Sequence, residues 1–106
     1  MPFFEFIETP TFARMRELLL PDDEYQALQL ALIENPESGD LIARTGGARK
    51  LRWMRRGTGK SGGVRTIYYC RSQTGQIWML LMYPKSAKES LTGSEKNALR
   101  DFIRSL

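Results

Sequence analysis

The stretch Val64-Arg65-Thr66-Ile67-Tyr68-Tyr69-Cys70-Arg71-Ser72-Gln73-Thr74-Gly75-Gln76-Ile77-Trp78-Met79-Leu80-Leu81-Met82-Tyr83 decides the fold. Val64, Thr66, Ile67, Tyr68 and Tyr69 are β-formers, so residues 64–71 read as a strand. Ser72-Gln73-Thr74-Gly75 reads as a hairpin turn. The following run, Ile77 to Tyr83, is apolar on both of its alternating faces and belongs inside a sheet, with Pro84 ending it. Upstream, Gly57-Thr58-Gly59-Lys60-Ser61-Gly62-Gly63 is a glycine-rich loop, preceded by a strand at about 48–55.

Further out, the signals turn helical. Phe3 to Glu8 alternates apolar and acidic residues in an edge-strand pattern. Pro10 opens a first helix over roughly 10–19, and Pro21 breaks it. Asp22 and Asp23 offer an N-cap and negative charge to a second helix over roughly 22–34. Tyr25, Leu28, Ala31 and Leu32 form its buried stripe, and Asn35-Pro36 with Ser38-Gly39-Asp40 stops it. Thr92 and Glu95 have capping-box spacing before a last helix whose apolar face is Leu99, Phe102, Ile103 and Leu106. The expectation is one domain over 1–106, of the α+β class, in the order β-α-α-β-β-β-α. Its largely antiparallel sheet would carry helices packed on one side. Trp53 and Trp78 read as core, and Cys70 as buried and inert.

Charge is distributed more sharply than the net value of +4 suggests. Residues 1–40 hold nine acidic and two basic side chains, and residues 41–88 hold eleven basic and no acidic ones. Uncompensated positive charge on part of a folded surface attracts polyanions, above all nucleic acid. One cysteine and no histidine rule out an internal disulfide, a His-based catalytic triad and a Cys/His zinc site. The acidic residues lie outside the basic window, against a two-metal carboxylate nuclease. No metal and no cofactor is therefore expected. Gly59-Lys60-Ser61 is not a phosphate loop, because Met54 stands where that motif needs its first glycine and a strand follows rather than a helix. No signal-like start and no long apolar run is seen, so a cytoplasmic protein with no membrane contact is expected.

What remains is a cationic constellation. Period-two alternation puts Lys50, Arg52 and Met54 on one face of their strand and Leu51 and Trp53 on the other. Arg65, Ile67, Tyr69 and Arg71 share a face of the next strand. Pairing of the two strands brings Lys50, Arg52 and Arg65 together, with Lys60 over the edge and Tyr83 and Lys85 closing the cluster. Such a group suits metal-free RNA cleavage, in which the substrate's own 2′-hydroxyl attacks the neighbouring phosphate and cations neutralise the phosphorane. DNA lacks that hydroxyl and would be spared. A non-catalytic ribosome- or RNA-binding module would carry a similar surface.

Four runs resemble the RelE superfamily of toxin–antitoxin toxins, most closely its HigB-type branch. They are Asn35-Pro36-x-x-Gly39-Asp40-x-Ile42, Thr45-Gly46-Gly47-x-Arg49-Lys50-x-Arg52, Gly59-Lys60-x-Gly62-Gly63-x-Arg65-x-Ile67-Tyr68-Tyr69 and Tyr83-x-Lys85. The resemblance implies a cytoplasmic endoribonuclease whose sheet binds mRNA in the ribosomal A site. It also implies a paired antitoxin with a helix-turn-helix DNA-binding domain, through which alone DNA is met. It assigns Lys50, Arg52, Arg65, Lys85 and Tyr83 to catalysis, with Arg65 on the phosphate. Lys60, Arg49, Arg55, Arg56 and Lys88 are assigned to RNA binding. Two departures stand out: Ser86 replaces an arginine of the best-known RelE toxins, and Leu91 falls about where they place a catalytic tyrosine. A ParE-type gyrase inhibitor shares the fold and is the alternative. The acidic first forty residues are expected to face away from RNA or to meet the antitoxin.

Overall fold

The computed structural model describes residues 4–54, 63–88 and 90–106. The chain runs β1 (Glu5–Glu8), α1 (Pro10–Leu19), α2 (Asp22–Glu34), β2 (Asp40–Leu41), β3 (Arg49–Trp53), β4 (Val64–Arg71), β5 (Gln76–Pro84) and α3 (Gly93–Arg104). The α+β class and the element order agree with the sequence reading, with one two-residue strand, β2, added. A single five-stranded sheet has the order β1-β5-β4-β3-β2. Strands β2 to β5 pair antiparallel, and β1 lies parallel to β5 at one edge. β5 thus has neighbours on both sides, as its doubly apolar sequence requires.

That same apolarity sets the helices. On one face Phe12, Leu20, Tyr25, Leu28 and Leu32 from α1, α2 and the turn between them pack on Val64, Tyr68, Ile77, Met79 and Met82. On the other, Leu99 and Ile103 of α3 cover Ile67, Leu80 and Tyr83, with Ala48 and Leu91. The sequence reading expected all helices on one side. The second row of sheet hydrophobes leaves the opposite face needing cover, and α3 supplies it. Leu28, Leu32, Ile67 and Ile77 are fully buried, and each such side chain contributes about 1.5–3 kcal/mol. Trp53 and Trp78 are only half-buried, packed at the margins of the two cores, and the Trp78 ring meets Phe102 edge-on at 5.6 Å. Cys70 is also half-buried rather than sealed, and desolvation pushes its thiol up.

Local chemistry explains the boundaries. Thr9 caps α1 by accepting from Phe12 N, with Pro10 in the first turn. For α2 the cap is Pro21, without a side-chain bond, because Asp22 and Asp23 already lie in the helix; with Glu24 they meet the positive end of its dipole instead. The Thr92–Glu95 capping box forms in both directions at α3. Between β2 and β3, Thr45 Oγ1 donates to Ile42 O and accepts from Ala48 N, in a turn where Arg44, Gly46 and Gly47 have positive φ. The Gly46-Gly47 pair of the sequence is what that turn needs.

One irregularity matters for function. Ile67 is opposite Leu81 and Tyr68 opposite Met79, so Leu80 is an extra residue in β5. The bulge lets Leu80 and Leu81 both join the α3-side core, and it shifts the alternation of everything after it. Without it Tyr83 would face α1 and α2; with it Tyr83 faces the same way as Arg65.

Candidate nucleic-acid interface

Strand register assembles the site. Arg52 is opposite Arg65 across β3 and β4, and Arg65 is opposite Tyr83 across β4 and β5, so the three form one row across the sheet. Directly opposed side chains in antiparallel strands have Cβ atoms about 4.5–5.5 Å apart, and like charges so placed destabilise. Two arginines facing each other therefore mark a place where an anion is wanted. In the next row Asp40 is opposite Lys50, and Lys50 opposite Ile67. Lys85 follows the end of β5, where its backbone N–H donates to Gly63 O at 2.9 Å. Among the described residues no carboxylate comes within ion-pair distance of Lys50, Arg52, Arg65 or Lys85.

Beside the row lies an open cleft of about 260 Å³, lined by Asp40, Leu41, Ile42, Ala43, Lys50, Arg52, Ser90, Leu91 and Lys96. Lys96 comes from α3 and Asp40 from β2; sequence reasoning assigned neither to the site. Lys96 is remote in sequence from Lys50, and only the fold of α3 across this face could reveal it. Asp40 had a signal in the Gly39-Asp40 pair, one strand before Lys50.

Tyr83 is 6% exposed, and its hydroxyl finds no hydrogen-bond partner among the described residues. Burial raises its pKa above the ordinary phenol value, while the positive charge of Arg65 opposes that shift. The Lys88 ammonium sits 4.9 Å from the Tyr83 ring centroid and is bonded to Glu95. That bond, with the Thr92 backbone N–H, holds the Glu95 carboxyl below its usual range. Lys88 is thereby tied between Tyr83 and the start of α3.

Arg49 is placed apart from the other cations. It alternates with Lys50 and so points to the other face, where its guanidinium donates to Gly39 O at 2.8 Å and Glu37 O at 3.1 Å. Glu37 Oε2 lies 3.7 Å from it as well. The structure gives it a clasping role on the segment before β2. Lys60, Arg55 and Arg56 lie outside the described residues. Leu91, expected near a tyrosine position, is buried under α3 and walls the cleft. Among the described residues no three His, Cys, Asp or Glu gather as metal ligands, and no helix is long and apolar enough to cross a membrane.

The chain is a small α+β protein with Arg52, Arg65 and Tyr83 in one row on the sheet face that α3 partly covers. Comparison narrows this. The family described as RelE toxin of RelE / RelB toxin-antitoxin system matches residues 7–106, and the chain belongs to that family. Among solved structures it is similar to E. coli toxin RelE, in an arginine-to-alanine double mutant in the free state. The TM-score is 0.62 at 15% identity, covering 100% of both chains. At that identity the likeness establishes the shared fold.

Proposed function

We propose that this chain is a toxin of the HigB-type branch that cleaves mRNA on the ribosome without a metal, and is held in check by an antitoxin bearing a helix-turn-helix domain. The row Arg52–Arg65–Tyr83 carries the reading. A scissile phosphate seated on it receives two guanidinium groups, which match phosphate oxygens in planar, bidentate fashion. The RNA 2′-oxygen attacks phosphorus as its proton is removed, the bond to the 5′-oxygen breaks, and that oxygen is protonated. The products are a 2′,3′-cyclic phosphate and a 5′-hydroxyl.

Arg52 and Arg65 offset the charge that develops on the phosphorane, where preorganised donors contribute most. Lys50 and Lys85 flank them and neutralise the adjoining backbone. Tyr83 keeps its proton because burial disfavours the phenolate, which suits it to donate to the leaving oxygen rather than to act as base. Lys60, Arg55, Arg56 and Lys88 extend the RNA-binding surface in this reading, with Lys88 also shielding the Tyr83 ring.

Primer extension on a defined mRNA in a reconstituted translation reaction tests the proposal, with and without ribosomes, for wild type and Arg65→Ala. Cuts within codons that need ribosomes and fall about a hundredfold or more in the variant are expected. Equal cutting by the two proteins would remove Arg65 from the mechanism. Undiminished translation together with loss of DNA supercoiling activity would instead identify a gyrase-directed toxin.

A further inference from the structure

The cleft beside the arginine row contains one group that the chemistry above does not use, the Asp40 carboxylate. Asp40 is exposed and lines the cleft, yet its carboxylate makes no ion pair or hydrogen bond with any described residue, although Lys50 is its cross-strand neighbour. Among the described residues it is the only carboxylate lining a cleft that also holds Lys50, Arg52 and Lys96. A negative charge on a path meant for phosphate opposes binding, so its presence calls for a different partner. Its position is fixed from both sides. The preceding Gly39 donates its N–H to the Tyr68 hydroxyl at 2.9 Å, and the nearby Ile42 N–H donates to Ala48 O at 2.9 Å. A carboxylate held on a pinned strand beside cations is preorganised for directional recognition. Leu41, 63% exposed, and Leu91 give the same cleft apolar surface of the kind on which a planar ring rests.

Resting on the nuclease reading, we infer that this cleft is a base-reading subsite in which Asp40 selects guanine from single-stranded RNA. A carboxylate only accepts hydrogen bonds. Guanine alone among the four bases offers two parallel donors, N1–H and N2–H, on its Watson–Crick edge, the edge that protein side chains read in unpaired RNA. Adenine and cytosine place a ring-nitrogen lone pair beside their single amine, and uracil flanks its N3–H with two carbonyl oxygens. Each of these presents negative charge to one carboxylate oxygen. Lys50 and Lys96 then take the phosphate of the bound nucleotide. The cleft volume of about 260 Å³ lies near the lower bound of small-ligand sites, a size suited to one nucleotide rather than several.

The test is an NMR titration of the whole protein with the 5′-monophosphates of guanosine, adenosine, cytidine, uridine and inosine, equal in phosphate charge. Guanosine monophosphate is expected to shift the amide signals of Asp40, Leu41, Leu91 and Lys96, with affinity about tenfold or more above the adenosine, cytidine and uridine nucleotides. Inosine, which keeps N1–H and lacks the N2 amine, falls between. In Asp40→Asn, whose dispersed spectrum reports folding directly, guanosine affinity drops to the adenosine level. In parallel, the share of primer-extension cuts next to guanosine is compared for wild type and variant. Equal affinities for all nucleotides, or a guanosine preference unchanged in Asp40→Asn, overturns the inference. The two readings fail separately: guanosine selectivity in a protein that cuts no RNA sinks the nuclease and leaves the subsite. RNA cutting with an Asp40-independent site distribution does the reverse.

Discussion

Replacing Tyr68 by Phe tests how the edge of the sheet that carries Asp40 is held. The Tyr68 side chain is fully buried, and its hydroxyl donates to Pro36 O at 2.7 Å while accepting from Gly39 N at 2.9 Å. Removing one oxygen leaves a gap too small for a water molecule, so neither group is rescued from inside. Pro36 is half-exposed, and solvent can reach its carbonyl; Gly39 is buried, and its N–H is stranded. A stranded buried donor costs about 1–3 kcal/mol, whereas the loss at Pro36 is nearer 0.5–1.5 kcal/mol of net bond strength. The gain from a less polar ring offsets part of the sum, leaving a destabilisation of about 2 kcal/mol. For a domain of this size each kcal/mol shifts the midpoint by about 4–8 °C, so thermal unfolding should shift by ~8–16 °C. Urea unfolding should show a lower midpoint at unchanged slope. A midpoint within about 0.3 kcal/mol of wild type would refute the reasoning, because it would mean the two bonds do not form or are replaced at no loss. Gly39→Ala probes the same contact from the other side. A Cβ there would stand 2.9 Å from Tyr68 Cε1 and 3.0 Å from Lys50 O.

Three other outcomes are expected. Because the folded pKa of Glu95 lies below its ordinary value, the stability from its bond to Lys88 is present above that ordinary value and is lost as pH falls through the folded one. Urea midpoints should therefore fall more steeply into acid for wild type than for Lys88→Met, and parallel pH profiles would count against it. Arg49→Ala should lower stability by about 1 kcal/mol through its lost carbonyl bonds and leave the salt dependence of RNA binding alone. Arg52→Ala should do the opposite, reducing the slope of log affinity against log salt by about 0.7 for single-stranded RNA. Identical slopes in the two variants would erase the distinction between the faces. Finally, charge reversal at Asp22, Asp23 and Glu24, in the first turn of a helix on the face away from the arginine row, should weaken antitoxin binding and spare RNA cleavage. Calorimetry with the purified antitoxin checks it, and unchanged affinity would reject an antitoxin contact there.

Much of this architecture was legible in the chain. Pro21 and Asn35-Pro36 delimit α2, the Thr92–Glu95 spacing marks α3, and the hairpin of β4 and β5 follows from β-formers around Ser72–Gly75. Period-two alternation was enough to put Lys50, Arg52 and Arg65 together. Its complement separates Arg49, which the same alternation sends to the clasp on Glu37 and Gly39. β2 escaped because two residues carry no period, and a turn held by Thr45 pairs them with β3. The seat of α3 escaped because its own stripe says only that one face is buried, not which side of the sheet receives it. Lys96 was hidden for that reason, since it reaches the cleft through tertiary packing alone.

The extra residue at Leu80 has a consequence for how this strand can change over time. Before it, side chains in β5 are counted in one frame; after it, in the other. Substitutions on either side leave that count untouched and can drift freely within the demands of size and polarity. A one-residue insertion between Leu81 and Met82 is different in kind. It would preserve composition, hydropathy and strand propensity almost entirely, yet carry Tyr83 out of line with Arg65 and send Met82 into its place. The face that carries Arg65 and Tyr83 is thus encoded partly in chain length, and a change in length within the strand disturbs it more than a replacement does.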